Sequence, residues 1–109
     1  MGLPFVAPYG AAKAGVNNLT KTFAGAWTPQ GVRVNCIAVG AVASEGFVRA
    51  MDRAGLDPDE VAGASNGVGR AGTPEEIAYG ILFLASDASS FISGETIYMG
   101  GGPKVPLPV

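Results

Sequence analysis

Two side chains suited to proton transfer, those of Tyr9 and Lys13, stand four residues apart near the start of the chain. Residues at this spacing share one face of an α-helix, so a helix here would place the ammonium beside the phenol. A phenol has a pKa of about 10, and a nearby positive charge favours its ionised form. The pair could then give a proton to a carbonyl oxygen or take one from an alcohol. Taken alone, the spacing is more typical of two solvated side chains on a helix, and this alternative stays open.

The elements that must position this pair can be predicted from periodicity. Apolar residues recur at helical spacing over residues 9–28, which predicts a helix that a Pro and a Gly then end. Residues 32–39 are rich in β-branched residues and mostly apolar, which predicts a strand buried on both faces, as in a parallel sheet. A helix over 74–86 and a strand over 95–99 would complete a βαβ unit with a right-handed crossover. Two strands are rarely stable alone. We therefore expect these two to belong to a larger sheet whose middle is missing from the chain.

The second helix has a recognisable start. Thr73 is a good N-cap, a proline follows it, and Glu76 completes a capping box. We expect the buried stripe of this helix to consist of Ile77, Ala78, Ile81, Leu82, Leu84 and Ala85.

The least regular part of the sequence is residues 44–70, where Gly and Asn separate the short helical segments. We expect a mobile, loop-rich excursion there, with short helices around 45–54 and 58–62. Within it, residues 67–72 match Gly-x-Gly-x-x-Gly, but no strand precedes them, so a flexible hinge is favoured over a phosphate-binding turn.

Composition narrows the class of protein. The chain has 109 residues and a net charge of −2, so we expect one domain and no nucleic-acid partner. No apolar stretch is long enough to span a bilayer, and the first residues do not resemble a signal peptide. A single cysteine, Cys36, excludes an internal disulfide; it lies in the predicted buried strand without a histidine to activate it, which favours a small core residue. We therefore expect a cytoplasmic protein with no membrane partner and no metal site.

Four segments together resemble one known family. They are residues 9–16, 32–38, 70–78 and 93–97, and they stand in the order and at the spacing of the short-chain dehydrogenase/reductase family. No single segment is specific, but four in register are. The chain is therefore similar to this family over almost all of its length.

The resemblance implies an α/β fold and an enzymatic activity. Residues 1–109 would be the C-terminal fragment of a single Rossmann-like dehydrogenase domain, two strands and their helices from a doubly wound parallel sheet, with 44–70 as the substrate lid. The reaction would be hydride transfer between NAD or NADP and a small alcohol or ketone, in a protein that is a homo-oligomer at full length. The family's glycine-rich turn, its NAD/NADP selector and its catalytic Ser and Asn have no counterpart here and would precede Met1. The chain alone is therefore expected to be incomplete as an enzyme.

The resemblance also assigns roles to individual residues. Tyr9 would be the general acid/base, and Lys13 would lower its pKa and bind the nicotinamide ribose. Val42 would offer backbone groups to the nicotinamide carboxamide, and Ser44 keeps the hydroxyl that a Thr supplies in the family. The residues expected to contact the cofactor are Tyr9, Lys13, Val39, Gly40, Val42 and Ser44.

Two positions depart from the family pattern. Val39 stands where the family has Pro, which leaves the following turn less preset because a fixed φ is lost. Gly100 stands where the family has Asp, so a contact near the C-terminus is in doubt.

A different class of function stays open beside the enzyme. The chain could be an inactive remnant, or a module that docks on full-length relatives. Without further strands, the apolar faces of the first helix and first strand would be exposed, which favours association.

Overall fold

A computed structural model describes residues 6–105, with side chains from residue 11 onward. The two strands pair in parallel, which confirms the predicted α/β class. By internal packing the chain divides into two units, one comprising the described residues up to Ile37 with Leu84–Ile97, the other Ala38–Phe83 with the described residues from Tyr98 onward. The elements, in order, are α1 Val6–Trp27, a 3₁₀ turn Thr28–Gln30, β1 Cys36–Val39, α2 Glu45–Ala54, α3 Pro58–Gly63, α4 Pro74–Ala85, a 3₁₀ turn Asp87–Ser89, and β2 Thr96–Met99.

Helix α1 begins three residues before the predicted start and ends one residue before the predicted end. It ends through the 3₁₀ turn and Gly31, whose φ of 90° suits a residue without a Cβ. In the last turns Phe23 stacks on Trp27 with ring centroids 4.9 Å apart. The buried hydroxyl of Thr20 donates to the Val16 carbonyl at 2.8 Å, so this polar group is satisfied inside the helix.

The first strand is shorter and less buried than predicted. It covers 36–39 rather than 32–39, because the residues before it bond outside the regular ladder. The Val34 amide donates to Ser93 Oγ at 3.2 Å, a side chain in place of a strand carbonyl. Burial on both faces was also wrong: Cys36 is half-buried rather than a core residue, and Val39 is 36% exposed.

The guanidinium of Arg33 holds the first unit together after α4 ends. Its Nη2 donates to the carbonyls of Leu84 and Ser86 at 3.0 and 3.1 Å. Its Nη1 donates to Ser89 Oγ and the Ile92 carbonyl at 3.0 and 3.2 Å. The last carbonyls of a helix have no partner within the helix, and a cation there also complements the helix dipole. One side chain therefore satisfies both the helix end and the turn that follows.

Much of the excursion between β1 and α4 is helical. The helices α2 and α3 occupy the two segments where short helices were predicted, and each starts at a side-chain cap. Ser44 Oγ accepts from the Phe47 amide at 3.3 Å, and Asp57 Oδ1 accepts from the Asp59 amide at 3.0 Å. A capping bond of this kind supplies a partner for a first-turn amide that the helix leaves without one.

Asn66 organises the turn that follows α3. It is 6% exposed, and its Nδ2 donates to the carbonyls of Ala62 and Arg70 at 3.1 and 2.8 Å. Its Oδ1 accepts from the Gly69 amide at 2.7 Å. The side chain thus uses both donors and its acceptor within nine residues of chain, which fixes the turn.

The Gly-x-Gly-x-x-Gly segment is tied into the protein by its own amides. Gly67 and Val68 donate to the carbonyls of Gly102 and Gly101 at 3.0 and 2.9 Å. These amides are bonded to protein carbonyls, which supports rejecting a phosphate-binding turn. These two bonds join the segment to the backbone of Gly101 and Gly102, and the flexible hinge predicted there stays a prediction.

The capping box of α4 is confirmed, whereas its buried stripe is not. Glu76 donates its amide to Thr73 Oγ1 at 3.1 Å and accepts from the Thr73 amide at 2.9 Å. Ile81 and Leu82 of the predicted stripe are 56% and 66% exposed. The reason is that extensive packing between described elements is confined to neighbours in the chain, α1 with its 3₁₀ turn and α2 with α3. Within residues 6–105 no helix has both the length and the apolar character of a membrane-crossing segment.

We expect Arg33→Met to lower the free energy of unfolding by about 1–3 kcal/mol, because it leaves several part-buried carbonyls without a donor. Arg53→Met is the matched control, since Arg53 is exposed on α2. Urea unfolding followed by circular dichroism would measure both. Equal losses in the two variants would contradict the role given to Arg33.

Candidate active site

Lys13 and Tyr9 lie one turn apart in the first half of α1, as their spacing predicts. Lys13 is exposed on this helix. The side chain of Tyr9 lies outside what the structure describes, so its contact with Lys13 remains a prediction. The helix itself supplies the shared face that proton transfer by this pair requires.

Ser44 joins the predicted cofactor loop to α2. Its hydroxyl oxygen accepts a hydrogen bond from the Phe47 amide as the N-cap of that helix. A hydroxyl can accept and donate at the same time, so the cap leaves the hydroxyl proton for another acceptor. The bond also fixes where that proton can be presented, just after the end of β1.

Val42 lies in a short parallel bridge with Gly72. The bridge is made by the Gly72 amide to the Ala41 carbonyl at 2.9 Å and by the Ala43 amide to the Gly72 carbonyl at 2.7 Å. In a parallel bridge of this kind, Gly72 bonds to the residues before and after Val42 and not to Val42. The amide of Val42 therefore points away from Gly72. Its carbonyl accepts from the Ser44 amide at 2.8 Å. The hydrogen bonds to Gly72 therefore fix the backbone of the loop, while the amide of Val42 points away from Gly72.

Gly40 is required by a close approach of backbone. Its amide donates to the Met99 carbonyl at 3.1 Å, which extends the pairing of β1 with β2. A Cβ built on Gly40 would lie 2.8 Å from Gly100 Cα and 3.3 Å from Tyr98 Oη. A side chain at position 100 would overlap the Tyr98 ring, so a Gly there in place of the family's Asp suits the position of that ring.

A bidentate ion pair, missed by the sequence analysis, stands beside this loop. Arg70 Nη1 and Nη2 donate to the two carboxylate oxygens of Glu76 at 2.8 and 2.9 Å. These bonds, with the Thr73 amide, hold the pKa of Glu76 at about 2, below its ordinary value of 4.5. The same pairing raises the pKa of Arg70. The pair was missed because the capping box already accounted for Glu76. The one signal in the sequence is an Arg that stands six residues before it, across a turn that contains Gly.

A cavity of about 310 Å³ lies within the second unit, where the ends of both strands pass into loops. Ligands of open α/β sheets bind outside the carboxyl ends of the strands, so the position fits a binding region. Its lining comprises Ala41, Asn66, Val68, Arg70, Gly72, Glu76, Ile77, Tyr98, Met99, Gly100 and Gly101.

The structure brings together some of the predicted site residues. Gly40, Val42 and Ser44 follow Val39 on one loop of the second unit, held by Gly72 and by the cap of α2. Lys13 belongs to the first unit.

We expect Gly40→Ala to lower the free energy of unfolding by about 1–3 kcal/mol, because the added methyl overlaps backbone that must shift. Gly46→Ala is the matched control: nothing lies within 4 Å of its Cβ position in α2, and Ala favours a helix by about 0.5–1 kcal/mol over Gly. Thermal unfolding of both variants would test this. A Gly40→Ala protein as stable as the wild type would contradict the close approach.

We expect the stability that the Arg70–Glu76 pair contributes to depend on pH. The folded-state pKa of Glu76 is depressed, so the contribution is fully present above about pH 4.5 and is lost as the pH falls towards about 2. The difference in free energy of unfolding between wild type and Glu76→Gln should therefore shrink across that window. Glu75→Gln, which removes the neighbouring charge, is the control, and a difference that stays constant down to pH 2 would refute the assignment.

Comparison with known proteins gives the chain a family. A family model described as enoyl-(acyl carrier protein) reductase matches residues 1–104. An uncharacterized oxidoreductase of Caenorhabditis elegans is 43% identical over 104 residues, which cover 94% of this chain and 33% of that protein. The short-chain reductase protein NovJ of Streptomyces niveus is 42% identical over 97 residues, covering 86% of this chain and 37% of that protein.

A solved structure agrees with these relatives. The NADPH-bound short chain oxidoreductase from Pseudomonas aeruginosa PAO1, described as containing an atypical catalytic center, is 37% identical with a TM-score of 0.76. The match covers 89% of this chain and 38% of that one, so the chain spans between about a third and two fifths of the length of these three proteins. The matches in sequence and in structure extend over nearly all of the chain. The protein therefore belongs to the short-chain dehydrogenase/reductase family.

Proposed function

We propose that the protein is an oxidoreductase that transfers a hydride between NAD or NADP and an alcohol or ketone, with Tyr9 as general acid/base. This chain would supply only part of the enzyme, since it spans about a third to two fifths of the length of those relatives. The observation that carries the proposal is the Tyr9–Lys13 spacing on α1 in a chain matched to the family over residues 1–104. The NADPH bound by the Pseudomonas aeruginosa relative supports a nicotinamide cofactor. We further propose a cytoplasmic homo-oligomer that acts on a small molecule.

The proposed chemistry assigns one proton to Tyr9. When the nicotinamide is bound it supplies or accepts the hydride. Tyr9 gives its phenolic proton to the carbonyl oxygen of a ketone, or takes the hydroxyl proton of an alcohol in the reverse direction. The ammonium of Lys13 lowers the pKa of the phenol and makes that transfer easier near neutral pH.

The donors on the loop after β1 fit a carboxamide group. The oxygen of a carboxamide accepts hydrogen bonds, so its site needs donors. Ser44 keeps a hydroxyl proton after capping α2, and the Val42 amide faces away from Gly72. These two groups would orient the carboxamide, while Val39 and Gly40 would shape the turn that carries them.

A docking role is the second candidate, and exposed apolar faces favour it. Leu19 and Trp27 on α1, and Leu82 on α4, are exposed by about half or more of their surface. Large exposed apolar patches mark interaction sites on soluble proteins. In this alternative the chain binds a full-length relative and carries out no chemistry of its own.

The enzyme proposal is tested by turnover of NADH and NADPH with a panel of ketones. We expect Tyr9→Phe to lower kcat by about 10²–10⁴-fold, because it removes the general acid. Tyr79→Phe, on an exposed face of α4, should leave kcat unchanged. Lys13→Met should also lower kcat, whereas Lys21→Met, two turns further along α1, should not.

Two outcomes would reject the enzyme proposal. One is full activity in Tyr9→Phe. The other is no binding of either nucleotide by a folded protein that instead co-purifies with an intact homologue, which would favour docking.

A further inference from the structure

We propose that the Arg70–Glu76 ion pair positions the loop of residues 40–44 through Gly72, so that these are positioning residues for cofactor binding. The inference rests on the proposed function, because it concerns the loop assigned there to the nicotinamide. Three links of hydrogen bonds within the second unit connect the ion pair to this loop.

The first link is the carboxylate of Glu76, which gathers three donors. Both of its oxygens accept from the Arg70 guanidinium, and Oε1 also accepts from the Thr73 amide at 2.9 Å. A bidentate pair of this kind has a fixed plane as well as a charge, so it restricts orientation more than a single contact. Arg70 and Thr73, the two residues that bracket positions 71 and 72, are therefore held against one carboxylate.

The second link fixes the residues between those brackets. Arg70 Nη1 also donates to the Ala71 carbonyl at 2.9 Å, and the Ala71 amide donates to Asp59 Oδ1 on α3 at 3.2 Å. Ala71 is 2% exposed, which leaves it little room to move. The backbone entering Gly72 is thus held from both sides.

The third link transmits this position to the loop. Gly72 has no side chain, and its bonds with the Ala41 carbonyl and the Ala43 amide form the bridge opposite Val42. Whatever fixes Gly72 therefore fixes the backbone on either side of Val42. Two other bonds hold the loop at its ends: the Gly40 amide donates to the Met99 carbonyl, and Ser44 caps α2.

A purely local role for the pair makes a different prediction. If Glu76 served only the capping box, Gln at position 76 would preserve that role, because Gln also completes a capping box. Glu76→Gln therefore removes the ion pair while it retains the cap. Arg70→Lys is a second variant that keeps the charge but loses the two-pronged geometry.

The test is amide hydrogen exchange of the purified protein, read residue by residue by NMR, combined with titration of NADH and NADPH. In Glu76→Gln and in Arg70→Lys we expect exchange at the Ala43 and Gly72 amides to accelerate by about tenfold or more, since local opening controls exchange. The affinity for the nucleotide should fall in the same variants. Glu75→Gln, one residue away on the same first turn, should match the wild type in both measurements.

The outcomes separate this inference from the proposed function. Acceleration at Ala43 with weaker nucleotide binding supports the positioning role. Unchanged exchange at Ala43 in both variants, with nucleotide binding intact, overturns it and leaves the proposed function standing. Exchange confined to the Glu76 amide also overturns it, because that marks a helix cap alone. A full-length wild type that binds neither nucleotide rejects the proposed function, and the cofactor role of the pair with it, even if exchange at Ala43 accelerates.

Discussion

Main-chain groups outside the helices and strands must find hydrogen-bond partners. In this protein polar side chains supply those partners at the end of α4 and in the turn after α3. The apolar side chains that are buried among the described residues are alanines, Ala24, Ala62 and Ala71, each of which buries little surface. Arg33 gathers carbonyls in the first unit, and Asn66 fixes the turn after α3 in the second. Local geometry is therefore set by satisfied polar groups more than by an extensive core.

This constraint explains why some elements could be predicted from the sequence and others could not. The starts of α2 and α4 depend on capping residues next to the helix, and Ser44 and Thr73 carry that information locally. The strand at 32–39 was predicted too long because Val34 bonds Ser93, fifty-nine residues away, which no local pattern indicates. The exposure of Leu82 was missed for a related reason: periodicity identifies an apolar face but not whether another element covers it.

The residues of the candidate site also differ in whether local sequence predicts them. Spacing alone predicted that Tyr9 and Lys13 share a helix, and the resemblance to the family added their roles. The contacts of Arg70 with Glu76 could not be predicted, because they depend on how the chain turns back after Asn66. Partners at helical spacing were found, whereas partners brought together by a turn, such as Arg70 and Glu76, were not.

The departure at Val39 connects these observations to function. In the family a Pro at this place fixes a φ angle just before the loop of residues 40–44, and Val leaves that angle free to vary. The loop here is instead restrained by non-covalent ties, among them the bonds from Gly72 on either side of Val42. Because Gly72 has no side chain of its own to hold it, its position depends on the residues beside it, and these are fastened to the carboxylate of Glu76. A loop that lacks a covalent restraint should be more sensitive to the loss of a non-covalent one.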